Sequence, residues 1–209
     1  MYICSQKTTN IIHHTCNIMN YLDIIKHYPD FPKPGIDFID IIPFLSNKKA
    51  FNEIISDINK SVHCPNLATV EARGFLFATP LLSLSQLVQN IVTIRKKGKL
   101  PFDECDLRDV EIMKEYGADH VFYRLSDIAA GVPEGDTFNI TFFDDILATG
   151  GTASGIAEAL NREIIHKDGK EYKVKVKEFI FLVEFPDLYD HARMESIAPV
   201  KSFMKIEGK

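Results

Sequence analysis

The sequence predicts an α/β fold, with a mostly parallel central sheet flanked by helices. Two observations support this prediction. Apolar runs that suit strands alternate along the chain with segments whose apolar residues recur at helical spacing. Residues 140–143 and 179–183 are apolar on both faces, as expected for the inner strands of a parallel sheet. Strand–helix–strand alternation of this kind is typical of crossover connections between parallel strands.

The predicted elements follow in order along the chain. Apolar periodicity predicts helices over residues 20–28, 48–60, 74–88 and 153–165, with Pro80 in a first turn or at a bend. Strands are predicted over 67–72, 90–95, 120–125, 139–146 and 172–185. Residues 29–35 read as a Pro/Gly loop, 36–44 as a short strand or packed loop, 96–119 as a charged excursion such as a long hairpin, and 148–152 as a turn.

Length and composition favour one globular domain. The chain has 209 residues, of which 45% are hydrophobic and 25% charged, which excludes a disordered, collagen-like or low-complexity protein. Residues 1–19 are polar and unpatterned, so we expect a flexible N-terminal extension there. Residues 20–209 are then expected to form a single domain.

Charge and cysteine usage narrow the class of partner. With 24 Lys and Arg against 29 Asp and Glu, the net charge is −5, which argues against a general nucleic-acid binder. A local basic patch for a small phosphorylated ligand stays compatible with that balance. The four cysteines, Cys4, Cys16, Cys64 and Cys105, include no CxxC pair and are interpreted as free thiols in a reducing compartment.

No targeting or metal signal stands out in the sequence. No apolar run reaches the roughly 20 residues of a membrane span, and residues 1–20 contain no continuous apolar core of a signal peptide. We therefore expect a cytoplasmic protein without a membrane partner. The histidines show no ligand-like spacing, so no structural metal is predicted.

The sharpest motif is the segment 142–152, FFDDILATGGT. An apolar strand delivers Asp144 and Asp145 at its C-terminal end, where ligands bind in open α/β sheets. A Thr/Gly loop then enters a helix, whose free N–H groups suit a phosphate, while the carboxylates suit hydroxyls or Mg²⁺. A sugar phosphate fits both halves; an acidic helix cap is the alternative interpretation from these residues alone. The segment is not a Walker A loop, since GxxxxGK[ST] is absent.

Several segments together resemble a known family. The stretch DDILATGGT resembles the phosphoribosyl-pyrophosphate (PRPP) motif of the type I phosphoribosyltransferases. YPDFPKPGIDFIDI at 28–41, EARGFLF at 71–77, IRKKGKLP at 94–101 and KEYG at 114–117 resemble the adenine phosphoribosyltransferase family, in that family's order and at similar spacing. The resemblance extends from about residue 20 to near residue 205 and implies the type I fold, with a small N-terminal hood and a mobile loop.

The resemblance also implies a reaction and a set of site residues. Adenine and PRPP would give AMP and pyrophosphate, with Mg²⁺ as cofactor and a homodimer as the assembly. Glu115, Asp144 and Asp145 match the catalytic positions, and the two aspartates would hold the ribose hydroxyls directly or through Mg²⁺ carried by PRPP. The matches to PRPP- and phosphate-binding positions are Arg73, Arg95, Lys96, Lys99, Ala148, Thr149, Gly150, Gly151 and Thr152. Arg95 would reach a neighbouring subunit's site. Phe38 would stack on adenine, with Asp37 and Ile39 offering backbone groups to the base edge.

Departures from the family pattern keep three alternatives open. The family usually has Phe-Arg-Asp where this chain has Phe38-Ile39-Asp40, and Asp37 stands at a usually apolar position, so a 6-oxopurine substrate is one alternative. Residues 99–116 hold six acidic and three basic residues, which motivates a protein that binds AMP without turnover. A PRPP- and DNA-binding regulator is the third, disfavoured because it needs an additional basic module.

Residues 166–177 look like a short insertion, such as a surface hairpin.

Overall fold

The computed structural model describes residues 19–101, 103, 105–114 and 117–207. Most of the described chain is built around one sheet, with strands in the order β10-β9-β7-β3-β4-β6-β5 and β8 paired to β9. The strands of this sheet are β3 (Asn66–Val70), β4 (Asn90–Lys96), β5 (Leu107–Lys114), β6 (Gly117–Arg124), β7 (Thr137–Leu147), β8 (Ile164–Lys167), β9 (Lys170–Glu184) and β10 (Val200–Lys205). A separate two-stranded ribbon pairs β1 (Lys26–Pro29) with β2 (Asp37–Asp40).

The sheet is parallel at its centre and antiparallel at one side. The pairs β10/β9, β9/β7, β7/β3 and β3/β4 are parallel, whereas β4/β6, β6/β5 and β8/β9 are antiparallel. The α/β prediction is confirmed. The charged excursion predicted over 96–119 contains β5 and the start of β6, so the observed hairpin extends into the strand predicted over 120–125. The stretch 166–177, interpreted as an insertion, includes the turn of the β8–β9 hairpin, where Asp168 and Gly169 have positive φ.

Helices cover both faces of the sheet. They are α1 (Lys48–Ser61), α2 (Arg73–Ala78), α3 (Leu81–Leu84), α4 (Leu125–Ala129), α5 (Gly151–Leu160) and α6 (His191–Ile197). Phe142 and Phe179 point into the core beside α5, while Phe143 and Ile180 point into the core beside α1. The central strands are thus buried on both faces, as their apolar composition predicts. None of the helices within the described residues is long and apolar enough to cross a membrane.

Three predicted elements are corrected by the structure. Residues 20–28 are not a helix; a 3-10 helix, Tyr21–Asp23, leads into β1, because antiparallel pairing with β2 competes with the short helical pattern. The helix predicted over 74–88 is divided into α2 and α3 at Pro80, which cannot donate a backbone hydrogen bond. The helix predicted over 153–165 is α5, which begins at Gly151 and ends at Leu160, earlier than predicted, because residues 164–167 form β8.

Candidate active site

The predicted sugar-phosphate site lies at the C-terminal end of β7; we call its loop, residues 148–152, the cradle. The strand ends at Leu147, a short loop follows, and α5 begins at Gly151. A cavity of about 110 Å³ opens at this point, lined by Asp144, Ile146–Leu147, Ala148, Thr149, Gly150, Thr152, Ala153 and Phe181. The structure therefore brings one of the predicted carboxylates and most of the predicted loop residues around one small cavity.

Gly150 gives the loop its shape. Its φ is +76°, in the left-handed region that favours glycine, and it is the residue immediately before α5. The turn at Gly150 leads directly into the first residues of the helix, where backbone N–H groups have no partner within the helix. Thr149 is exposed, Thr152 is half-buried, and both residues line the cavity. The arrangement suits an anion in the cavity.

The two aspartates have different surroundings. Asp144 faces the cavity, and its Oδ1 accepts a hydrogen bond of 2.9 Å from the backbone N–H of Asp145. Loss of water in the crowded surroundings, together with the neighbouring Asp145 carboxylate, raises the pKa of Asp144 well above its ordinary value. Asp145 is buried, and its Oδ2 lies 2.6 Å from Nε of Arg73. The pair thus offers one carboxyl that holds a proton readily and one carboxylate already matched by a cation.

Arg73 links the acidic pair to the predicted base site. Besides Asp145, its guanidinium lies 3.4 Å from the carbonyl oxygen of Ile39, and its Cζ stands 5.4 Å from the centre of the Phe38 ring. Arg73 is the first residue of α2, and Gly74 lets this helix approach the strands closely. A Cβ at Gly74 would lie 2.5 Å from Thr69 Oγ1 and 3.1 Å from Asp144 Oδ1. The arginine expected to bind pyrophosphate therefore bridges two parts of the site.

The base-site residues lie on β2. Phe38 is half-buried and meets the Phe31 ring edge-on at a centroid distance of 5.3 Å. Asp37 is exposed, and its Oδ2 lies 2.8 Å from Nδ1 of His27 on β1. The side chain of Ile39 is buried in the core beside α1, so this departure from the family pattern places an apolar side chain in the interior and leaves only the backbone facing Arg73.

The basic run at the end of β4 is organised by Glu71. One Glu71 oxygen accepts from Nε of Arg95 at 2.9 Å, and the other accepts from the backbone N–H of Lys96 at 2.7 Å. Burial works to raise the pKa of Glu71, but the Lys96 N–H and the Arg95 guanidinium outweigh it and lower that pKa. Arg95 also donates to the carbonyl of Lys99 at 2.9 Å, while the side chains of Lys96 and Lys99 are exposed. Arg95 is thus engaged within its own chain, and two lysines are left facing solvent.

Two acidic side chains at the β5–β6 hairpin make structural contacts. Asp106 accepts from both the backbone and the hydroxyl of Ser126, each at 2.7 Å, at the start of α4. Asp109 on β5 pairs with His120 on β6 at 2.7 Å. These contacts hold the hairpin together, so both acids have a structural role. Glu115, the predicted catalytic glutamate between β5 and β6, lies outside the described residues.

Sequence reasoning missed supporting residues in two places, beside the basic run and behind the cradle. Glu71 carries no predicted role, although it lies in the segment that includes Arg73. Tyr189 and Met194, from the region after β9, pack against Gly150. Their spacing relative to the cradle motif offers no signal, because the contact joins segments about 40 residues apart in the chain. Among the described residues, no three His, Cys, Asp or Glu side chains come together as a metal site.

Similar proteins and similar solved structures agree on one family. No family model matches the chain. The adenine phosphoribosyltransferase of Mesorhizobium japonicum is 33% identical over 191 residues, covering 88% of this chain and 93% of that protein. That of Kosmotoga olearia is 40% identical over 147 residues, covering 69% and 80%.

Solved structures give the same result. The crystal structure of adenine phosphoribosyltransferase from Thermoanaerobacter pseudethanolicus has a TM-score of 0.72 and 33% identity, covering 89% of this chain and 98% of that one. The Saccharomyces cerevisiae enzyme, in complex with an imino-altritol bisphosphate and adenine, has a TM-score of 0.68 and 27% identity, covering 88% and 96%.

Proposed function

This chain belongs to the adenine phosphoribosyltransferase family, and we propose that it transfers the phosphoribosyl group of PRPP to adenine, giving AMP and pyrophosphate. The observation that carries the proposal is the junction of two half-sites through one side chain. Arg73 contacts Asp145 beside the sugar-phosphate cradle and the Ile39 carbonyl beside the base-site ring Phe38. The two substrates must meet at C1′ of the ribose, and this junction lies between the places proposed for them.

The cradle is proposed to hold the 5′-phosphate. The loop 148–152 surrounds a cavity of about 110 Å³, and its Gly150 turn leads into the N-terminus of α5, where N–H groups and the helix dipole favour an anion. Asp144 and Asp145 are proposed to bind the ribose diol. A hydroxyl that donates to these carboxylates accounts for the placement of two acids beside a phosphate site.

Pyrophosphate is proposed to bind between Arg73 and the exposed lysines Lys96 and Lys99. As the bond at C1′ breaks, negative charge develops on the leaving pyrophosphate, and cations that are already in place stabilise it. The Arg95–Glu71 pair is proposed to fix the loop that carries these lysines, since Glu71 also binds the Lys96 backbone. Phe38 is proposed to stack on adenine, with the backbone of Asp37 and Ile39 at the base edge.

Mg²⁺ is proposed as the cofactor, carried by PRPP. The neighbouring carboxylates of Asp144 and Asp145 supply the oxygen ligands that Mg²⁺ prefers, and a cation beside Asp144 would favour its ionised form. When bound, the ion would neutralise charge on the pyrophosphate group. Asp145 also pairs with Arg73, and Asp144 faces the cavity.

Glu115 is proposed to handle a proton at the purine as N9 attacks C1′. Glu115→Gln keeps the size of the side chain and removes its basicity. We expect kcat to fall more than the affinity for PRPP, measured by steady-state kinetics and by direct binding of PRPP. A defect confined to PRPP binding would contradict the assigned role.

The organisation of the chain completes the proposal. Residues 20–209 are proposed as a single phosphoribosyltransferase domain after an extension at 1–19, in a cytoplasmic homodimer. Exposed leucines in and after α2 and α3 supply apolar surface that a subunit contact would cover: Leu76, Leu82, Leu84 and Leu87. Free thiols at Cys64 and Cys105 suit a reducing compartment.

The decisive experiment is pyrophosphate release from PRPP and Mg²⁺ with adenine, hypoxanthine, guanine and xanthine in parallel. We expect release with adenine alone. Release with a 6-oxopurine alone would keep the reaction and overturn the base assignment. PRPP binding without release in all four assays would overturn the enzymatic proposal in favour of a binding protein.

A further inference from the structure

The outer side of the cradle is closed by a segment that the proposed reaction does not use. A Cβ built on Gly150 would lie 3.4 Å from Sδ of Met194 and 3.4 Å from Cβ of Tyr189. Met194 is buried in α6, whose start is capped by Asp190 through the backbone N–H of Arg193 at 3.0 Å. The turn that shapes the cradle therefore rests against a wall made by residues 189–194.

That wall is anchored by a buried carboxylate. The hydroxyl of Tyr189 donates to Oε2 of Glu184 at 2.9 Å, and Nζ of Lys205 lies 2.7 Å from Oε1. Glu184 is only 3% exposed, so both of its oxygens are matched inside the protein. Burial works to raise the pKa of Glu184, but Lys205 and Tyr189 outweigh it and lower that pKa, while burial and the Glu184 charge raise the pKa of Tyr189. The anchor stays a phenol bonded to a carboxylate throughout the neutral range.

Glu184 is also tied to the strand that enters the cradle. It stands opposite Leu147 in the parallel pairing of β9 with β7, and the N–H of Phe185 donates to the Leu147 carbonyl at 2.9 Å. Leu147 is the residue immediately before the loop. Glu184 is consequently connected to both sides of the cradle. It is connected to Leu147 through the strand pairing and to Gly150 through Tyr189.

We propose that Tyr189 is a positioning residue for the cradle: its hydrogen bond to Glu184 fixes the wall behind Gly150 and thereby tunes affinity for the sugar-phosphate half of PRPP. The inference rests on the proposed function of the loop 148–152. Tyr189 acts through Gly150 and need not touch the substrate. Without the anchor, the loop N–H groups would have to be ordered by the ligand itself, at a cost in affinity.

The test compares Tyr189→Phe with Tyr172→Phe in the full-length protein. Tyr172 lies near the start of β9 and packs edge-on against Phe138, far along the strand from Glu184. Calorimetry with ribose 5-phosphate, which carries the phosphate without a base or pyrophosphate, measures the cradle directly. We expect Tyr189→Phe to weaken this binding by about 2- to 30-fold and to raise KM for PRPP in parallel. The KM for adenine at saturating PRPP and kcat should stay near wild type, and Tyr172→Phe should match wild type in every measurement.

A second variant tests the anchor from its other side. Lys205→Met removes the cation from Glu184, and we expect a rise in the ribose 5-phosphate Kd that does not add to that of Tyr189→Phe, because both act through one carboxylate. Wild-type affinity in Tyr189→Phe would overturn the proposal. Equal losses in the adenine and PRPP parameters would overturn it too, since they would indicate general destabilisation. If the wild-type protein binds ribose 5-phosphate but turns over none of the four bases, the proposed function fails while the comparison of variants still decides the role of Tyr189.

Discussion

The cradle and the base-site ribbon are built in opposite ways. β7 lies inside the large sheet, paired with β3 and β9, and is buried on both faces. The ribbon has only β1 and β2, and every residue of β1 is exposed. A two-stranded ribbon is marginal on its own in water and depends on what it packs against. Here the buried side chains of Ile25 and Ile39 and the reach of Arg73 attach it to the rest of the protein.

In the proposed function, this difference separates two tasks. The end of β7, inside the core of the sheet, is proposed to position the sugar-phosphate group, and substitutions there meet close packing. The base side is held by a few side-chain contacts, so it can change with less effect on the fold. Ile39 illustrates this: its side chain is buried in the core beside α1, while its carbonyl and the Phe38 ring lie beside Arg73.

We expect the largest loss of activity when both acidic side chains beside the cradle are removed. Asp144→Asn combined with Asp145→Asn should lower kcat/KM by about a hundredfold to a thousandfold, since the diol loses both carboxylates and Arg73 loses its partner. Pyrophosphate release measures the effect. Asp136→Asn, an exposed acid just before β7, is the matched control and should keep wild-type turnover. Wild-type activity in the double variant would remove the diol role from both residues.

The next test cuts the link between the two regions. Arg73→Lys keeps the charge but lacks the fork that reaches Asp145 and the Ile39 carbonyl together, so we expect a loss of about ten- to a hundredfold in kcat/KM. The KM values of both substrates should change, because the residue contacts both half-sites. Arg162→Lys is the control; this exposed arginine lies 3.8 Å from Glu158 on α5. A change in only one KM would place Arg73 in one half-site alone.

A smaller effect is expected from the cradle's turn. Gly150→Ala and Gly169→Ala both place a Cβ at positive φ, +76° and +73°, so both should lose about 1 kcal/mol of stability. Only at Gly150 does the Cβ meet Tyr189 and Met194, whereas nothing lies within 4 Å at Gly169. Ribose 5-phosphate binding should therefore weaken in the first variant alone. Equal binding in both variants would show that the wall does not constrain the loop.

The smallest effect concerns stability against pH. Because the folded protein raises the pKa of Asp144 above its unfolded value of 3.8, the folded state binds more protons, and this group makes stability fall as pH rises through the window above 3.8. Asp144→Asn removes the penalty and should raise the melting temperature near pH 7 without ligand. The difference from wild type should shrink toward pH 4. A melting temperature that is lower at neutral pH would contradict this account of Asp144.

Local patterns predicted the cradle well and the ribbon poorly. The helix over 48–60 is confirmed as α1, since its period is clear and Asn47 caps it at the N–H of Ala50. The segment 142–152 carries strand, loop and helix start in one continuous stretch, so its geometry follows from sequence order. The helix predicted over residues 20–28 is wrong, because pairing between β1 and β2 is a non-local interaction that overrides a short helical pattern.

The same distinction holds within the candidate site. The resemblance to known enzymes selected Arg73 and Phe38, but no spacing rule places the guanidinium on the Ile39 carbonyl 34 residues away. The sequence assigned no role to Tyr189, because that role depends on a hydrogen bond to Glu184 and a contact with Gly150 that only the folded chain creates. Sequence thus indicates the chemistry of the site, and packing determines how its parts are held.

The two ends of the large sheet have a consequence for the protein at high concentration. β5 and β10 are the terminal strands, and a bare strand edge is a template on which another copy can add and start an aggregate. Here β5 carries Arg108, Asp109 and Glu111, while β10 carries exposed lysines at 201 and 205. Charges along both edges oppose strand addition from a second copy. The charged side chains are thereby expected to protect both edges against fibril-like growth.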